Sequence, residues 1–68
     1  MSKYQKQVIQ FAEREAGVVV QFAGMAGIYE LPRTHLSYDH FASLLRAAKD
    51  SGIPVSFEIE DHRIVAVG

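Results

Sequence analysis

The chain has 68 residues, of which 49% are hydrophobic and 22% charged, and it contains no cysteine. This length allows one small domain, residues 1–68, and excludes separate catalytic and substrate domains. Without cysteine there are no disulfides or thiolate metal sites. The net charge of -1 gives no overall attraction to nucleic acid. No stretch approaches the roughly 18 apolar residues of a membrane span, so we expect a cytoplasmic protein without a membrane segment.

The chain is predicted to begin with a helix over residues 2–16. Ser2 and Gln5 have the spacing of a capping box. Gly17 then supplies a residue suited to a helix end. Between them, apolar residues recur every three or four positions, as on one face of an amphipathic helix: Tyr4, Val8, Phe11, Ala12 and Ala16.

A β-hairpin is predicted next. Residues 18–23 and 28–31 are rich in β-branched, aromatic and other apolar side chains, and residues 24–27 contain two glycines suited to a turn. Pro32 has no N–H for a strand ladder, so the second strand should end near it. Residues 33–36 are expected to form a surface loop.

A second helix and a second hairpin complete the chain. Ser37 is the predicted N-cap, and Gly52 with Pro54 the predicted end. The buried stripe of this helix comprises Phe41, Leu44, Leu45 and Ala48. Residues 55–60 alternate between apolar and polar, and residues 64–67 can return antiparallel after the turn at Asp61 and His62.

These elements predict an α+β fold. The order helix, strand, strand, helix, strand, strand indicates a two-layer sandwich, in which two helices cover one face of a four-stranded sheet. In such a sandwich Val18, Val20 and Phe22 face the helices, and the alternate residues face outward.

One edge of this predicted sheet collects all three histidines of the chain. If the loop after Pro32 and the turn at Asp61 lie at the same edge, they bring together Arg33, His35, Asp39, His40, Asp61, His62 and Arg63. Such an edge can bind a small ligand, an anion or a metal. Solvated loop ends are the simpler interpretation, and we predict no metal site and no cofactor.

Nucleic-acid binding is a second hypothesis. Lys3, Lys6 and Arg14 would form a weakly basic stripe on the first helix, although Glu13 and Glu15 dilute its charge. Enzymatic activity is not expected. There is no Gly-x-Ser-x-Gly motif and no phosphate-binding loop, and a core of this size offers little room for a deep pocket.

The outward sheet face is the favoured binding surface. Its predicted members are Val19, Gln21, Glu58, Val65 and Val67. Aliphatic residues on a bare sheet invite a partner. We therefore predict a small non-enzymatic protein-interaction module: an adaptor, accessory subunit or inhibitor that binds a larger protein or complex, of the compact kind that mobile elements carry. A homodimer through a sheet face or an edge strand is a further expectation. The alternative is a module that binds nucleic acid, a metal or a small ligand.

Overall fold

A computed structural model describes residues 2–68 of the chain. It contains six strands and one helix: β1 (Ser2–Lys6), β2 (Val8–Arg14), β3 (Gly17–Phe22), β4 (Tyr29–Pro32), α1 (Tyr38–Ser51), β5 (Val55–Glu60) and β6 (Arg63–Val67). The predicted four-stranded sheet with two helices is therefore wrong, because the first predicted helix is two strands. The side chain of Ser2, predicted to cap that helix, lies outside the described part.

The six strands form one curled, mixed sheet in the order β1-β5-β6-β4-β3-β2. Only Gln7 separates β1 from β2, yet these two strands lie at opposite ends of that order. The sheet must therefore curl round on itself. Counted as one bent strand, β1 and β2 pair with β5 on one side and β3 on the other. In strand order and connections, this half-barrel resembles the OB-fold, a partly open Greek-key barrel of five strands.

A bulge explains why the first strands have a helix-like sequence pattern. Tyr4 and Val8 are four residues apart, which is two strand periods as well as one helical turn. The pairing of β2 with β3 then shifts between Val8 and Gln10. This extra residue makes the next inward side chain Phe11, three positions after Val8. Intervals of four and three residues therefore arise here from a bulged strand.

The helix predicted after Ser37 is confirmed as α1, and Ser37 occupies its N-cap position, but the Ser37 side chain makes no capping hydrogen bond. Gly52 ends it in the left-handed conformation with φ 72°, and its N–H donates to the Ala48 carbonyl at 2.9 Å. Leu45 and Ala48 are buried, while Phe41 and Leu44 are half-buried against the core. The four strands predicted after residue 17 are also present, and both of their hairpins are antiparallel.

Stacked aromatic rings form the centre of the core. The rings of Phe22 and Phe57 lie 3.8 Å apart at an interplanar angle of 10°. Tyr4, which is directly opposite Phe57 in the β1–β5 register, has its ring centre 5.7 Å from that of Phe57. Because these rings come from β1, β3 and β5, they connect both halves of the curled sheet. Leu31, Leu45 and Ile64 are fully buried around them.

Candidate functional site

An apolar patch lies on the solvent side of β2, β3 and β4. Ala12 and Val19 are directly opposite each other in the β2–β3 register, and both are half-buried. Ile28, just before β4, lines the same shallow depression of about 200 Å³ and is 60% exposed. We call Ala12, Val19 and Ile28 the apolar centre, and the surface that carries it the outer face.

Polar and charged side chains surround the apolar centre. Gln10, Arg14 and Gln21 line the depression with it. On the β4 side, Val19 and Ile28 border a second depression, of about 520 Å³, that is also lined by Glu30, Asp61, His62 and Arg63. The outer face thus combines an apolar middle with a rim that carries both signs of charge, the usual composition of a protein-binding surface.

Two backbone features hold the rim in place. The turn between β5 and β6 is joined to β4 by the Glu30 N–H, which donates to the His62 carbonyl at 2.8 Å. Asp61 takes a positive φ of 57° in this turn. Its side chain and those of His62 and Arg63 are exposed. These three side chains therefore stand next to the apolar centre on an anchored turn.

The residues predicted to bind a partner do not form one surface. Val19 and Gln21 lie on β3 and belong to the outer face. Glu58 lies on β5 and Val65 on β6, and β4 and β6 separate β5 from β3 in the sheet. Val67 is buried and packs in the core. The prediction that Val67 faces outward is wrong because a bulge opposite Glu58 and Ile59 shifts the alternation of β6 by one residue.

The three histidines do not converge, which corrects the predicted histidine edge. β4 and β6 are parallel. The loop after β4 and the turn before β6 consequently lie at opposite ends of these strands. His35 and His40 line a cleft at the start of α1, whereas His62 contacts the ring of Tyr29 at 5.7 Å on the far side. Within residues 2–68, no group of three or more histidine, aspartate or glutamate side chains is arranged to hold a metal ion.

His35 and Arg33 form hydrogen bonds that stabilise the loop before α1. The Ser37 N–H donates to His35 Nδ1 at 3.0 Å. His35 Nε2 lies 3.1 Å from the Val65 carbonyl, so the neutral tautomer protonated at Nε2 satisfies both contacts. Arg33 donates to the Glu15 and Arg14 carbonyls at 3.0 and 3.1 Å, and its guanidinium lies 5.3 Å from the Tyr38 ring centre. These contacts tie the loop to β6 and to the β2–β3 turn.

The predicted basic stripe is lost with the first helix. Lys3 and Lys6 lie on β1, three residues apart, so their side chains leave opposite faces of that strand. Arg14 is at the far end of β2, beside the turn to β3. The three basic residues therefore do not form a continuous track for phosphates.

Sequence reasoning missed Ala12, Ile28 and Glu30 as members of the outer face. The predicted first helix places Ala12 on its apolar stripe. The sequence predicts Ile28 inside the strand 28–31, whereas the structure places it just before β4. The exposure of Ile28, which follows Gly27 with its positive φ of 86°, becomes visible only once the hairpin is built.

No helix within residues 2–68 combines the length and apolar character required to cross a membrane. Comparison with protein families, with characterised proteins and with solved structures found no match to this chain.

Proposed function

We propose that this chain is a small, non-enzymatic protein-binding module of the cytoplasm that uses its outer face to bind a larger protein. The observation that carries this proposal is Ile28, 60% exposed beside Val19 and Ala12. A protruding aliphatic side chain surrounded by half-buried apolar neighbours has the form of an interface anchor. The rim carries Arg14 and Arg63 together with Glu30 and Asp61. This favours a partner that has an apolar hollow flanked by charges of both signs.

The fold supports the choice of this surface by analogy. OB-folds bind oligonucleotides and oligosaccharides on the face of the second and third barrel strands, next to the loops that flank that face. These strands correspond to β3 and β4 here, and the neighbouring loops to the turns at Glu15 and Asp61. Because one fold hosts many functions, the analogy locates a surface and does not identify its ligand.

The chemistry of the outer face favours protein over nucleic acid. Single-stranded nucleic acids are held by aromatic platforms and a basic groove. The apolar centre contains no aromatic ring, and Tyr29, which follows Ile28 in the chain, is buried with only 8% of its surface exposed. The rim carries Glu30 and Asp61 beside Arg63. Mixed charge around an aliphatic centre suits a protein surface better than a phosphate backbone.

Site-specific photocrosslinking, followed by an affinity measurement with the purified partner, tests this proposal. A photoreactive residue at position 28 is compared with one at Leu36, which is fully exposed in the loop beyond the opposite end of β4. We expect position 28 to crosslink a protein that position 36 does not. The crosslinked protein is then purified and its affinity measured by calorimetry.

The substitution Ile28→Asp places a charge at the apolar centre, and Leu36→Asp makes the same change elsewhere. We expect Ile28→Asp to weaken binding at least about tenfold, the effect of losing roughly 1.4 kcal/mol at an interface anchor. Leu36→Asp should leave the affinity unchanged. Equal affinities of the two variants, or crosslinking of nucleic acid at position 28, would refute the proposal.

A further inference from the structure

One row of side chains crosses the outer face from β2 to β5. Residues that are paired in neighbouring strands carry their side chains on the same face of the sheet. The pairings join Ala12 to Val19, Val19 to Glu30, Glu30 to Arg63, and Arg63 to Glu60. The residues before and after Glu30 in β4 are buried, so this row points to solvent. It begins with two aliphatic side chains and ends with three charged ones.

The charged end of this row is acidic. Arg63 is paired with Glu30 on β4 and with Glu60 on β5, so a glutamate stands on each side of it. Paired residues have Cβ atoms roughly 5 Å apart, which is close enough for opposite charges to offset each other. Asp61, in the turn between β5 and β6, adds a third carboxylate next to the row. Negative charge is therefore in excess at this end of the outer face.

The acidic end shares a depression with the apolar centre. Val19 and Ile28 line this depression, and so do the side chains of Glu30 and Asp61. A partner side chain that contacts Ile28 there is therefore close to carboxylates. The turn that carries Asp61 is joined to β4 by the hydrogen bond from the Glu30 N–H to the His62 carbonyl. The backbone that presents these carboxylates is thus in place before a partner binds, which lowers the cost of ordering it.

The opposite end of the outer face is close to neutral. Arg14 lines the depression at β2 together with the uncharged side chains of Gln10 and Gln21. Glu15 follows Arg14 in the turn to β3, and both side chains are exposed. The whole chain has a net charge of only -1. The negative excess beside β4 is consequently a local property of the outer face.

We infer that the outer face recognises a basic segment of its protein partner. An aliphatic side chain of this segment contacts Val19 and Ile28. A lysine or arginine next to it in the partner pairs with Glu30 and Asp61. This inference rests on the proposed function and adds the chemistry of the partner to it. Complementary charge fixes the orientation of the partner, and an acidic segment is disfavoured because it would bring like charges together.

An NMR titration with two peptides tests this inference. The probes are the acetylated and amidated peptides Gly-Lys-Leu-Lys-Gly and Gly-Glu-Leu-Glu-Gly, which share the central leucine and differ in the sign of their charge. We expect the lysine peptide to shift the backbone amide signals of Val19, Ile28 and Asp61, with a dissociation constant on the order of 1 mM. The glutamate peptide should bind at least about fivefold more weakly.

Two double variants separate a local contact from a general attraction to an acidic chain. Glu30→Gln with Asp61→Asn removes two carboxylates of the outer face. Glu13→Gln with Asp50→Asn removes two from the depression between β2 and α1 and leaves the same net charge. The first should weaken binding of the lysine peptide about fivefold, and the second by less than about twofold. Circular dichroism checks that both variants, which replace carboxylates by amides of nearly equal size, remain folded.

Equal binding of the two peptides, or equal losses in the two double variants, would overturn the inference. So would unchanged outer-face signals up to about 5 mM lysine peptide. The protein that crosslinks at position 28 distinguishes this failure from that of the proposed function. If Ile28→Asp weakens its binding but Glu30→Gln with Asp61→Asn does not, the outer face binds a partner without a basic segment. If none of these changes weakens its binding, the proposed function fails as well.

Discussion

Gly17 is the position where the structure predicts the largest effect of adding one methyl group. A Cβ built on Gly17 would lie 2.2 Å from the Leu31 carbonyl oxygen and 2.9 Å from the Arg33 nitrogen. Both atoms belong to the backbone, so no side-chain rotation relieves the contact. The oxygen would have to retreat by about 1 Å to reach an ordinary contact distance. Gly17 also has a φ of 150°, which an alanine rarely adopts.

The cost of Gly17→Ala follows from these two effects. Backbone strain contributes about 1–3 kcal/mol. Separation of β3 from β4 weakens about two hydrogen bonds, each worth about 1 kcal/mol. The sum, about 3–5 kcal/mol, is a large part of the roughly 3–10 kcal/mol expected for a chain of 68 residues. The melting temperature should fall by at least about 12 °C.

Urea titration followed by circular dichroism measures this loss. Gly27→Ala is the matched control, because Gly27 has a φ of 86° but nothing within 4 Å of its added Cβ. It should cost only about 1–2 kcal/mol, the penalty for a left-handed alanine. If Gly17→Ala is no more destabilising than Gly27→Ala, the close approach of β3 to β4 is wrong.

Three further predictions concern other contacts of the fold. His35→Ala should lower the free energy of unfolding by about 1–3 kcal/mol, because it leaves the Val65 carbonyl without its partner. His40 is exposed, so His40→Ala should change the free energy of unfolding by less than about 0.5 kcal/mol. Equal effects of the two variants in denaturant titrations would contradict the hydrogen bonding of His35. Gln7→Ala removes the hydrogen bond that Gln7 Nε2 donates to the Gly52 carbonyl at 2.6 Å. The same titrations should show a free energy of unfolding lower by about 0.5–1.5 kcal/mol, and an unchanged value would refute the contact. Gel shifts with single-stranded DNA and RNA at low salt should show no complex, and a complex that weakens steeply with salt would favour the nucleic-acid hypothesis.

The elements after residue 17 could be predicted from the sequence, whereas β1 and β2 could not. α1 combines an apolar stripe of helical period with a glycine in the left-handed conformation at its end, and these local signals agree. In residues 2–14, a bulged strand spaces its apolar side chains at the intervals typical of a helix. The contacts that favour strand over helix are the pairings of β1 and β2 with distant strands, which a local sequence pattern does not show. The β-branched and aromatic character of Val8, Ile9 and Phe11 was the available signal for strand.

The histidine edge failed for a related reason. Its prediction depended on strand direction, and no local pattern shows that β4 and β6 are parallel. The outer face was predicted in part, since alternation along β3 correctly places Val19 outward and Val20 inward. Ala12 and Ile28 join Val19 only through the β2–β3 pairing and the conformation of the β3–β4 connection, which sequence alone does not reveal.

The most direct test of the central claim uses the protein that crosslinks at position 28. Calorimetry compares its affinity for the wild-type chain with its affinities for Ile28→Asp and for the control Leu36→Asp. Binding by the outer face predicts a loss of at least about tenfold for Ile28→Asp alone. Undiminished binding by Ile28→Asp, in a variant that retains the wild-type circular dichroism spectrum, would contradict it.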